Sequence, residues 1–101
     1  MAIVNTAILS TNTTIYTSSG TNAITTVIVC NTGGTDRTLT LYAVPNGGSA
    51  NTTSMIVNAL NVPAGDTVSF DQEKMVLSNG DTLVAVGSNT GLSATVSTLP
   101  V

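Results

Sequence analysis

The 101-residue chain has no histidine, no tryptophan, one cysteine and two basic residues. Each shortage removes a class of function. Without histidine, no side chain has an ordinary pKa near neutrality, and no serine has the partner that a hydrolase triad needs. Cys30 stands alone, so it closes no internal disulfide, and no imidazole is present to make it a nucleophile. One thiol and five carboxylates do not furnish the usual metal cages. Arg37 and Lys74 are too few to neutralise a phosphate backbone, and the net charge is −3, so nucleic acid is not an expected partner. Three aromatic rings, Tyr16, Tyr42 and Phe70, make a poor platform for stacking sugars. The reading is therefore not an enzyme, with no catalytic residue, no cofactor and no metal site.

Long apolar runs are missing too. The longest, of which Val27 to Cys30 is one, are strand-sized, far below the ~18 residues of a membrane span, so no membrane is expected as a partner. The opening Met1-Ala2-Ile3-Val4-Asn5 lacks the basic and apolar regions of a secretory leader, which points to synthesis in a cytoplasm.

What the chain does have is threonine, nineteen of them, together with many valines. These β-branched residues suit a pleated, half-buried surface better than a helix. Charged residues make up 7% of the sequence, against roughly a quarter in ordinary domains, yet mean hydropathy is +0.38, so the chain is expected to fold. A surface of Thr, Ser and Asn does little to oppose close association, which suits life inside a larger assembly.

Short alternating runs are broken by turn residues about every ten positions, the spacing of an all-β sandwich. We expect a first extended segment over Ala7 to Thr17 and a strong, central strand over Ala23 to Asn31 covered on both sides. A clean alternation follows over Arg37 to Val44. A strand rather than a helix is expected over Ser54 to Val62, ahead of a tight turn at Pro63-Ala64-Gly65-Asp66. Asn79-Gly80 between apolar runs signals a hairpin pairing Leu77 with Thr82 and Met75 with Val84. The expected core is Ile24, Ile28, Leu39, Leu41, Leu60, Val68, Phe70, Leu83, Ala85, Ala94 and Val96, with Cys30 buried as a small hydrophobe. This makes seven or eight strands in one domain over 21–101. Residues 1–20 form either its first strand or an arm lying on a partner.

Several groupings are set aside. Asp71, Glu73 and Asp81 lack the oxygen density of a calcium loop. Gly33-Gly34 and Gly47-Gly48 precede neither a helix nor a Lys-Ser/Thr pair, so they are not phosphate loops. Asn12-Thr13-Thr14 and Asn51-Thr52-Thr53 match glycosylation sequons, as chance allows in a chain this rich in Asn and Thr. Candidate contact residues are Ile3, Val4 and Ile8 in the N-terminal segment, and Tyr16 and Tyr42 as interface anchors.

The stretch Cys30-Asn31-Thr32-Gly33-Gly34-Thr35-Asp36-Arg37-Thr38-Leu39-Thr40-Leu41-Tyr42-Ala43-Val44-Pro45-Asn46-Gly47-Gly48-Ser49-Ala50 resembles small tailed-bacteriophage virion proteins with the pattern CN-(loop)-DRTVTLYLVP-GGSA. Asn61 to Thr67 and Val76 to Leu83 resemble two further segments of that group, in the same order. The resemblance spans residues 22 to 97. It implies an immunoglobulin-like antiparallel β-sandwich on the surface of a phage particle, with the major capsid protein or another virion protein as partner. The leading expectation is a capsid decoration, or cement, protein docked as homotrimers on the assembled head. A tail, neck or fibre module is the alternative.

Overall fold

The computed structural model describes residues 2–70 and 75–100. The described residues form nine strands and no helix: β1 (Ala2–Ile8), β2 (Thr13–Thr17), β3 (Asn22–Asn31), β4 (Arg37–Val44), β5 (Met55–Val62), β6 (Thr67–Phe70), β7 (Met75–Leu77), β8 (Thr82–Gly87) and β9 (Leu92–Pro100). Two antiparallel sheets result. One runs β1-β9-β3-β6, with β7 also on β3; the other runs β2-β8-β4-β5. The all-β antiparallel sandwich expected from the sequence is what the chain forms.

Strand order refines that picture. β6 pairs with Val27–Cys30 and β7 with Asn22–Ile24, so together they fill one place beside β3. The eight places follow one folded ribbon: β1 lies on β9, β2 on β8, β3 on β6 and β7, and β4 on β5. Rolling the ribbon adds the β9–β3 and β8–β4 pairings. This is the order of a jelly roll. In an immunoglobulin-like sandwich the last two strands are neighbours in one sheet; here β8 and β9 lie in different sheets.

Residues 7–17, expected as one extended segment, divide between the sheets. β1 ends at Ile8 and β2 begins at Thr13. The corner between them is fixed by Leu9 N donating to Thr13 Oγ1 (3.1 Å) and Gly87 N donating to Leu9 O (2.9 Å). The first twenty residues thus supply a strand to each sheet. At the other turn, Asp81 N donates to Ser78 O (3.1 Å) and Gly80 alone of the two central residues has positive φ (+88°), a type II turn rather than the hairpin form. It crosses between sheets rather than closing a hairpin: Leu77 pairs with Asn22, and Thr82 pairs with Thr17 and Val44. Gly80 N donates to Ser18 O (2.8 Å), which carries the chain across.

The core lies between the sheets. Ile24, Leu39, Leu41, Leu83, Ala85, Ala94 and Val96 are buried there as expected, joined by Ile8, Ile15, Val27, Val29, Val62, Leu77 and Leu92. Val68 and Phe70 are partly buried against it. Ile28 and Leu60 were expected inside and are each 37% exposed. The two have different reasons. An extra residue at 25–26 of β3 moves the inward set from Ile24 to Val27 and Val29, turning Ile28 outward, so β3 is not covered on both sides. In β5 two register shifts place Ala59 at φ +51°, with its N–H donating to Thr40 Oγ1 (3.2 Å); Leu60 lies opposite the buried Leu39 but on an edge strand, which leaves it partly exposed while Val62 is fully buried. Cys30, expected to be buried, is half-buried on the outer side of β3.

Candidate functional site

The polar chemistry of the chain is concentrated at the two ends of the sandwich. At one end Asn31 is fully buried. Its Nδ2 donates to Thr35 O and Val62 O (both 2.9 Å), and its Oδ1 accepts from Gly33 N (3.0 Å). Its backbone joins the Pro63–Asp66 turn through Asn31 N to Asp66 O (2.9 Å) and Gly65 N to Asn31 O (3.1 Å). Asp36 Oδ1 accepts from Ala64 N (3.0 Å) in the same turn. Arg37 Nε donates to Thr90 O (2.9 Å), and its Nη1 donates to Thr35 Oγ1. Three loops are tied together by one buried amide and two charges.

The opposite end repeats the device with other residues. Ser18, 2% exposed, shares its one Oγ proton between Gly20 O (2.8 Å) and Leu77 O (3.3 Å), and accepts from Asn22 Nδ2 (3.1 Å). Asp81 accepts from Asn46 N at Oδ1 and from Ser78 N at Oδ2 (both 2.9 Å), tying the Pro45–Gly48 loop to the crossing turn. Among the described residues no buried side-chain nitrogen or oxygen lacks a partner. The segments that carry the phage-protein resemblance are, physically, these loop ties. They fix the two ends of the sandwich.

The sheet faces are built differently. Cross-strand rows on the outside of the larger sheet read Ala7–Ser93–Cys30–Thr67, Asn5–Thr95–Ile28–Ser69, Ile3–Ser97–Thr26 and Leu99–Ala23–Val76. None of these residues is charged. The described charged residues, Asp36, Arg37, Asp66 and Asp81, all lie in loops or at a strand end. On this face Ile3 is 69% exposed, Val76 63% and Leu99 44%. Leu99 and Val76 flank Ala23, and Ile3 lies diagonally across from Leu99, so they make one apolar corner. A wide face whose described residues carry no charge matches the composition of interface centres, where charged residues are depleted.

The residues singled out from sequence separate on this framework. Ile3 stands on the open face. Val4 points inward opposite Val96 and is half-buried. Ile8, expected at a contact surface, is 1% exposed in the core and closed to a partner: the β1 alternation turns it inward with Val4 and Thr6. Tyr16 packs partly buried against the core. Tyr42 lies on the outside of the other sheet, between Val84 and Met55. The structure therefore does not gather the five into one patch. Sequence reading missed Val76 and Leu99. Alternation with the buried Leu77 and Thr98 was the signal that could have found them.

Among the described residues no three His, Cys, Asp or Glu side chains lie together. Asp71 and Glu73 are outside the described residues. A depression lined by Ala43, Val44, Pro45, Leu77 and Asp81 holds about 170 Å³, below the ~300 Å³ at which small-molecule sites begin. No family model matches the chain, and no curated protein or solved structure matches it.

Proposed function

We propose that this protein is a structural component of a bacteriophage particle, a decoration protein that docks on the assembled lattice of major capsid protein and stabilises the head. The observation that carries the reading is the outer face of the larger sheet, whose described residues carry no charge, with its apolar corner at Ile3, Val76 and Leu99. Such a face approaches another protein without stripping water from any charge, the costly step in burying ions. The sequence resemblance over residues 22 to 97 supplies the particle as the setting. The mechanism is mass action: a chain that binds only the assembled lattice stabilises that state in proportion to its occupancy. Homotrimers at local three-fold positions are the assembly that goes with this reading.

Purified particles test this. A stoichiometry of hundreds of copies per particle, with stripped heads bursting at lower temperature than decorated ones, is the expected result. Three, six or twelve copies would assign the protein to a tail or neck ring. Equal burst temperatures would remove the stabilising role.

A further inference from the structure

The sandwich has four edge strands, β1 and β6/β7 in one sheet and β2 and β5 in the other. Exposed edges offer unpaired backbone groups to other chains, and proteins that must stay apart interrupt them with bulges, charge or short strands. Three edges here are interrupted. β2 has five residues with a register shift between Thr14 and Tyr16. β5 has two shifts and a left-handed Ala59. β6 and β7 are separate strands of four and three residues. β1 is different. Its seven residues, Ala2 to Ile8, pair with β9 in seven consecutive positions without a shift. They include no charge and no proline. Among the described residues, no strand pairs with its other edge.

The core is also incompletely closed beside β1. Val4 and Thr6 face inward opposite Val96 and Ala94, which are at most 1% exposed, yet both remain half-exposed themselves. A strand added alongside β1 would cover them.

We infer that β1 joins two copies of this chain by antiparallel β1–β1 pairing across a twofold axis. Full overlap of seven residues requires the axis at Asn5. The pairs are then Ala2 with Ile8, Ile3 with Ala7, Val4 with Thr6, and Asn5 with Asn5. This register keeps inward residues opposite inward ones, as the pleat demands. A self-pair sets the central residue, Asn5, against its own symmetry mate, so a charge there would face its like. β1 carries none, although the chain as a whole is at −3. The two large sheets become one continuous sheet, and their outer faces double in width. The interface is isologous and closes at two copies. It thus stands apart from the virion reading and competes with the threefold assembly.

The test uses the purified full chain in sedimentation equilibrium, with Asn5→Lys and Asn5→Asp variants. Asn5 is exposed and accepts one hydrogen bond, from Thr95 Oγ1 (2.8 Å), so both variants should fold. Wild type should form a dimer of twice the 10.1 kDa chain. Each variant alone should dissociate at least about five-fold more readily, and an equimolar mixture should recover the dimer. Hydrogen exchange of wild-type β1 amides should slow with protein concentration, which tests the pairing even if a variant misfolds. A monomer at every concentration, a trimer, or a dimer indifferent to both variants would overturn the inference.

Discussion

The ends of the sandwich and its large face obey opposite rules. The ends are polar, tightly bonded and charged; the described residues of the face carry no charge, half of them are apolar, and backbone ladders hold them in place. Asn31 alone satisfies two carbonyls and one N–H from its side chain. On the face, Ile3, Val76 and Leu99 protrude into solvent. Monomer stability therefore rests on side chains other than those we assign to docking, although the Ser18–Asn22 ties lie next to the Val76 corner. The two can be broken separately.

The largest loss should come from Asn31→Ala. It strands Val62 O, Thr35 O and Gly33 N, each costing ~1–3 kcal/mol when buried without a partner. A total of about 3 kcal/mol should lower Tm by roughly 15 °C in a domain this size, measured by calorimetry. Ser18→Ala should follow at about 2 kcal/mol, since it frees Leu77 O and one donor of Asn22 at the opposite end. If it costs nothing, the two ends are not equivalent devices. Gly80→Ala should cost about 1–3 kcal/mol, because φ +88° opposes a side chain and the added Cβ would lie 2.6 Å from Asn46 Cγ. Adding Asn46→Gly should restore only the steric share, since the Asn46 N–H to Asp81 is backbone. Smallest in stability is the double change Val76→Thr with Leu99→Thr, expected within about 0.5 kcal/mol of wild type by denaturant titration. A large destabilisation there would mean that the face belongs to the monomer's own packing.

Much of this was legible in the residues. Alternation from Arg37 to Val44 and the β-branched run before Asn31 gave β4 and β3 nearly to their ends, because a half-buried strand must alternate. The Pro63-Ala64-Gly65-Asp66 turn is present, closed by Asp66 N to Pro63 O (3.0 Å) with Gly65 at φ +74°. Bulges defeated the rest. One inserted residue reverses the sense of every later position, and Thr25-Thr26 carries no letter that marks it. So Ile28 was read as core. Partner choice was equally hidden: Asn79-Gly80 announces a turn but not which sheet receives the next strand. Jelly-roll order is a matter of long-range pairing, and local pattern cannot distinguish it from other sandwiches. The candidate face was visible only as a shortage of charge, since its rows join strands distant in sequence.

The central claim is that the molecule works through a plain face held by stapled ends. Binding of purified chain to undecorated phage heads measures this directly, comparing wild type with the Val76→Thr, Leu99→Thr double variant. Wild type should saturate the lattice, and the variant should bind at least ten-fold more weakly with an unchanged Tm. Equal occupancy by both proteins, or no binding by either, would contradict it.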